Sequence, residues 1–410
     1  MFVNNVFKFV NILFITIFIT ACAGNESFDI TKDTGTNNLN NPNINGLGIP
    51  VYKLGSSIRN VDLEKVDFIK LKLGDINKFD TKIAEFDILN ETVFYLNTSG
   101  EIYSYNILYN KKMWQNKIEL SESPLFRGYL KIVDKVVIVF GNNGITYGLD
   151  IKNGNVLWEI DLGNNINSKP SVYLNNLIFQ LVGGKTVSIN SQNGKIVWEH
   201  SLNFEIETSY LEVAKVIINK NIAYILYSNG NLFAINASNG KQYWSSKLTN
   251  NLSFDSVVDK SSFISPITID NENIYVISNS KGFYSINPKT GFVKMRKNIS
   301  SEVNTVVTGD IIFILDVNSK VWAIDKNDGF VYWTMQLQQS YNSVQTTWNN
   351  MILHNGKLVL FSSTGKIQLL SIDNGNTIAL HNTKNSNLKI VKKRNLVYML
   401  QDDGNLKVYR

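Results

Sequence analysis

The 410-residue chain has one cysteine, Cys22, along with six prolines and three histidines. A single thiol cannot close an intramolecular disulfide, so apolar packing has to hold the fold together. The histidines, His200, His354 and His381, are expected in three different repeats and show neither the HxxH nor the HxxxH spacing of a zinc site. There is no glycine-rich phosphate loop, no Gly-x-Ser-x-Gly elbow and no paired-carboxylate motif. Accordingly, neither catalytic residues nor a cofactor or metal is expected. Long apolar runs are also missing: the stretch from Phe9 to Thr20 falls well short of the ~20 residues that span a bilayer as a helix.

The net charge is +6 and the isoelectric point is near 9.0, but the basic residues barely cluster. Lys392, Lys393 and Arg394 form the tightest run, followed by Lys294, Arg296 and Lys297. Neither group sits on a basic helix or beside an aromatic stacking surface, so both read as solvated turn and strand-edge charges, with no nucleic-acid partner. With 44% hydrophobic and 18% charged residues the composition is that of a globular protein.

The N-terminus carries its own signal. Lys8 precedes the short apolar run, which ends in Ile19-Thr20-Ala21-Cys22. This has the shape of a signal peptide and resembles the bacterial lipobox, in which the cysteine sulfur receives diacylglycerol and the cysteine becomes the mature N-terminus. Residues 1–21 are therefore expected to be a lipoprotein signal peptide, with Cys22 the lipidation site. The following segment, through Val61, is rich in Asn, Gly and Thr and has too little apolar surface to offset its ordering entropy, so residues 22–61 read as a polar tether.

Beyond the tether the chain repeats itself. NGNVLWEIDL starts at Asn153, NGKIVWEHSL at Asn193, NGKQYWSSKL at Asn239 and DGFVYWTMQL at Asp328. Aligned on the glycine, the repeats run through Asn110 (in place of Gly), Gly154, Gly194, Gly240, Gly291, Gly329 and Gly375, roughly 40 to 50 residues apart. Four residues after each comes Trp114, Trp158, Trp198, Trp244, Met295, Trp333 or Ala379, and four before each comes Asn106, Asp150, Asn190, Asn236, Asn287, Asp325 or Ser371. An Asx or Ser side chain that accepts an amide two or three residues on favours a type I turn, and the glycine suits the left-handed position of a G1 bulge, so each motif predicts a tight hairpin. Two short alternating runs precede each turn, which makes four strands per repeat.

Four-stranded repeats of this length are propeller blades, each burying its faces only against its neighbours. The tryptophans are expected to wedge between blades. The chain ends after the inner strands of an eighth repeat, and Asp67–Gly74 alternates suitably to supply the missing strand, which would remove two open sheet edges. The expected fold is all-β: residues 62–410 form an eight-bladed propeller of four-stranded, PQQ-like blades closed by an N-terminal strand.

The Asx…Gly-x-x-x-Trp blade resembles the pyrroloquinoline quinone (PQQ) propeller repeat. Together with the lipobox and the tether, it resembles the propeller lipoprotein (B) subunits of the bacterial outer-membrane β-barrel assembly machinery. The resemblance implies a non-enzymatic, lipid-anchored scaffold at the outer membrane, facing the periplasm as one copy in a hetero-complex. Its implied partners are the central barrel protein and unfolded outer-membrane proteins. Ala23, where inner-membrane lipoproteins carry aspartate, fits the outer membrane. Family members dock partly through an acidic pair just before the proline that corresponds to Pro266. Ser261, Ser262 and Phe263 stand there instead, and Asp255 and Asp259 are the displaced candidates, with Glu205, Glu207 and Glu212 in the preceding loop weaker ones. The competing readings are an envelope propeller with another partner and a PQQ-dependent dehydrogenase. The adjacent cysteines common in the dehydrogenases are absent here.

Overall fold

The computed structural model describes residues 43–45, 49–51, 65–70 and 83–409, apart from 110, 120–127, 142–143, 202–213, 249–264, 280–281, 342–343, 384–387, 395 and 402–404. The expected signal peptide, Cys22 and most of the tether lie outside them. Residues 44–410 form one compact unit, described below.

That unit is a ring of eight four-stranded antiparallel blades. Blade 1 comprises Ile83–Leu89, Thr92–Asn97, Glu101–Asn106 and Lys111–Lys117. Blades 2 to 7 occupy 129–161, 171–201, 217–247, 268–297, 306–336 and 348–382. Blade 8 takes its first three strands from the C-terminus, Leu388–Lys393, Leu396–Gln401 and Asn405–Tyr409, and its fourth, Lys65–Lys70, from the N-terminus. That strand pairs antiparallel with the last one, from Lys65 opposite Tyr409 to Lys70 opposite Asn405. The expected closure is present, but it starts two residues earlier than the alternation of Asp67–Gly74 suggested.

First strands of neighbouring blades pack against one another (blades 1 and 2, 3 and 4, 4 and 5, 6 and 7, 8 and 1), so they line the axis and the fourth strands form the rim. This geometry corrects one expectation: the inner strands do not alternate. Val136–Phe140 of blade 2 reads VVIVF and is buried throughout. Val136, Ile138 and Phe140 face Leu177 and Phe179 of blade 3, while Val137 and Val139 face Phe94 and Leu96 of blade 1. A strand covered on both faces is apolar at every position. Alternation survives only on the rim, where Trp158 is the buried residue of Val156–Asp161.

The repeated turn also differs from the expected type I turn with a G1 bulge. The Gly154 amide donates to the Asp150 carbonyl at 2.8 Å, and the Asp150 amide donates to the Asn155 carbonyl at 2.8 Å, enclosing a four-residue loop. Gly154 is the fourth loop residue, at φ +77°. The bulge comes later, where Gly148 pairs with Trp158 but Leu149 pairs with Val156. The Asx cap is as expected: Asp150 Oδ1 accepts the Lys152 amide at 2.7 Å, and Asn190, Asn236, Asn287 and Asp325 do likewise in their turns.

Candidate functional site

Each turn is one half of a blade junction, and the other half is the tryptophan of the blade before it. The Trp114 ring lies against Gly154, Trp158 against Gly194, Trp198 against Gly240, Trp244 against Gly291 and Trp333 against Gly375. At Gly154, Gly194, Gly291 and Gly375 an added Cβ would come within 2.5 Å of the ring, so the glycine is needed for close approach as well as for its positive φ. Each indole N–H donates to the carbonyl one residue after the capping Asx or Ser: Ile151, Ser191, Ala237, Pro288 and Ile372, at 2.9–3.1 Å. The expected wedge is thus a stack and a hydrogen bond, both to backbone.

In an antiparallel meander the crossovers between blades share one face with the second-to-third-strand turns. The fourth strands of blades 3 and 4 therefore end on that same face. Asp255 and Asp259, and Glu205, Glu207 and Glu212, lie in the crossovers that follow them, outside the described residues. Their re-entry points are fixed. Gln180 Nε2 of blade 3 donates to the Ala214 carbonyl at 3.0 Å, and Ser265 Oγ donates to the Ser301 carbonyl at 2.9 Å.

Near the axis, charged side chains reach from blade to blade. Asp87, buried on the first strand of blade 1, accepts Lys131 of blade 2 at 2.9 Å and Lys393 of blade 8 at 2.7 Å. Burial alone would raise its carboxyl pKa, but the two ammonium groups outweigh that and hold it below the ordinary value. Glu85 on the same strand pairs at 3.4 Å with Lys169, which leads into blade 3. Lys215, leading into blade 4, has its pKa lowered by burial and by repulsion from Lys131 and Lys169. Sequence reasoning missed this cluster, because its members lie on different blades and Lys393 reaches Asp87 only once the ring has closed.

The basic runs are more engaged than expected of solvated charges. Lys393 belongs to the Asp87 cluster, and Lys392 donates to the Leu353 carbonyl of blade 7. Lys294 donates to Asn273 Oδ1 at 2.6 Å, and Arg296 lies over the Tyr284 ring. The histidines also need correcting: they occupy two blades rather than three. His354 ends the first strand of blade 7 and His381 is on its fourth strand, because the first strand of that blade begins well upstream of its glycine anchor. His200 lies 3.2 Å from Tyr227 Oη at the junction of blades 3 and 4, and burial lowers its pKa. Among the described residues no three His, Cys, Asp or Glu side chains are grouped to hold a metal.

A protein of Rickettsia conorii described as uncharacterized is 23% identical over 62% of this chain and 62% of its own length. The outer membrane protein assembly factor BamB of Yersinia pestis is 20% identical over 72% of this chain and 75% of its own. In fold, the crystal structure of BamB from Moraxella catarrhalis superposes with a TM-score of 0.65 at 17% identity, covering 85% of this chain and 98% of that one. The quinohemoprotein alcohol dehydrogenase of Comamonas testosteroni does so with 0.61 at 10%, covering 85% and 76%. The family model described as "Outer membrane protein assembly factor BamB" matches residues 84–265 and 260–406, and the chain belongs to that family.

Proposed function

We propose that the protein is a scaffold of the machinery that assembles β-barrel proteins in the outer membrane, anchored there by lipid on Cys22 and facing the periplasm. The family match across nearly the whole propeller carries this reading. The rigid wheel then acts as a holder for loops. The crossovers leaving blades 3 and 4, with Asp255 and Asp259, dock on the central barrel protein.

The rim serves the clients. Among the described residues each fourth strand has one unpaired backbone edge, and on blades 2 and 3 that strand exposes Val156, Leu157, Ile196 and Val197. An unfolded barrel protein is a chain of strands, and an exposed edge takes a strand through main-chain hydrogen bonds. The segment Ile49–Val51 already runs beside the fourth strand of blade 6, which is the kind of placement such an edge favours. On this reading the protein turns over no substrate. A PQQ-dependent dehydrogenase would be expected to bring adjacent cysteines to its cofactor, whereas this chain has only Cys22.

The test is affinity purification of the tagged full chain from gently solubilised envelopes, with mass spectrometry of what accompanies it. Co-purification of the central barrel-assembly protein, weakened when Asp255 and Asp259 are both replaced by alanine, is the expected result. Enrichment of a different envelope protein would replace the reading with a scaffold for another partner.

A further inference from the structure

Among the described residues there are six Asn-Gly pairs, and five of them are locked. At Gly154, Gly194, Gly230, Gly240 and Gly375 the glycine amide donates to a carbonyl three or four residues back, at 2.8–3.0 Å. The asparagine before each glycine has its Oδ1 taken by the amide that follows the glycine, at 2.9–3.1 Å.

Asn355-Gly356 is built differently. It forms the tip of the two-residue hairpin between the first and second strands of blade 7, where His354 pairs with Lys357. Both tip residues have positive φ, +47° and +67°, as a type I′ turn requires. The Gly356 amide donates to no protein acceptor, and Asn355 Oδ1 accepts no protein amide. Both residues are exposed, and a Cβ built on Gly356 would meet nothing.

These two free groups are the partners of an intramolecular reaction. Once solvent base removes its proton, the Gly356 nitrogen can attack Asn355 Cγ. The N–Cγ bond forms, the Cγ–Nδ2 bond breaks with release of ammonia, and a cyclic succinimide results. Water then opens the ring at either carbonyl, giving aspartate or isoaspartate. An amide that already donates a hydrogen bond gives up its proton less readily, and a carboxamide held by its oxygen is kept from swinging toward the nitrogen.

We propose that Asn355 is a site of spontaneous deamidation in the folded protein, with isoaspartate among its products, whereas the asparagines of the locked turns are protected by the bonds that shape those turns. The change places a carboxylate beside Lys357. In its isoaspartate form it also adds a main-chain carbon to a turn whose length fixes the strand register. The Leu353 carbonyl, just before the tip, accepts Lys392 of blade 8, so a shifted hairpin is felt at the junction of blades 7 and 8.

The test ages the full chain at mildly alkaline pH and follows each asparagine by peptide mass spectrometry, with isoaspartate read by an isoaspartyl methyltransferase. Asn355 is expected to convert at least about tenfold faster than Asn153, Asn193, Asn229, Asn239 and Asn374, which must first break two hydrogen bonds. In concentrated urea the six rates should draw together, which assigns the difference to the fold and not to the flanking residues. The proposal is overturned if Asn355 converts no faster than the locked five in the folded protein, or if its lead is the same in urea.

Discussion

Five of the junctions described are closed by a tryptophan, and the junction between blades 5 and 6 is closed without one. At the five, an indole stacks on the glycine of the next turn and donates to that turn's backbone. At the exception the turn is unchanged: Gly329 sits at φ +73° and its amide donates to Asp325 at 3.0 Å. Met295 and the stem of Lys297 occupy the ring's place. Where the other turns present a carbonyl to an indole, this one carries Lys326, which reaches back to Glu272 of blade 5 at 3.4 Å and across to Asp310 at 3.0 Å. The turn is thus the constant part of a junction, and its filler can vary as long as volume and polar contact are both supplied.

The sharpest way to break this contrast is to empty both kinds of junction. Trp333 is buried and hydrogen-bonded to Ile372, so Trp333→Ala is expected to cost about 3–5 kcal/mol through the cavity and the orphaned carbonyl. Met295 is half-buried, and Met295→Ala is expected to cost about 1–2 kcal/mol. Urea unfolding followed by tryptophan fluorescence for the second variant, and by circular dichroism for both, reads the difference. Equal losses would mean that the indole adds nothing beyond bulk.

The junction of blades 8, 1 and 2 depends on charge instead. Asp87→Asn leaves Lys131 and Lys393 facing a neutral amide, with an expected loss of about 2–4 kcal/mol at neutral pH. The folded carboxyl titrates below its unfolded value. Its contribution is therefore complete above about pH 4 and is lost as pH falls through the still lower folded pKa. Asp87→Asn should flatten the acid limb of the stability profile over that window. A profile parallel to the parent's would show that Asp87 is not the group responsible.

How much of this was readable beforehand varies with the range of the interaction. The turn glycines, the caps and the tryptophans stand within a few residues of one another, so their spacing exposed the blades and even the missing strand. A second local signal was present and went unread. The residue before each glycine caps the amide after it, as Asn153 does for Asn155 and Asp328 for Phe330. A third lies ten residues upstream of each wedge, where Ser104, Gly148, Ser188, Ala234 and Ala323 pair with the tryptophans and are small enough to make room. The axial charges could not be read this way. Asp87 and Lys393 are 306 positions apart and meet only because the ring closes.

Blade 7 inverts the third signal and tests it directly. Leu369 stands where the small residue belongs and Ala379 where the tryptophan belongs, and the two are paired, so the volume has moved from the fourth strand to the third. Ala379→Trp alone is expected to cost about 1–3 kcal/mol by overpacking. Adding Leu369→Ala should recover most of that, as a favourable coupling in a double-mutant cycle. Additive losses would show that blade 7 was never a size-swapped copy of the others.

The smallest effect belongs to the ions that stand in for the indole. Lys326 is largely buried along its stem, whereas Glu272 and Asp310 are exposed, 61% and 60% along their side chains, and exposed partners are screened by water and salt. Lys326→Met keeps the stem and removes the charge, and should cost about 1 kcal/mol or less at low salt and nothing measurable in 1 M sodium chloride. A similar loss at both salt concentrations would mean that the stem, and not the charge, seals the junction. The blade 5–6 junction would then be a hydrophobic one like the rest, with methionine and lysine carbon replacing the indole's surface and nothing replacing its hydrogen bond.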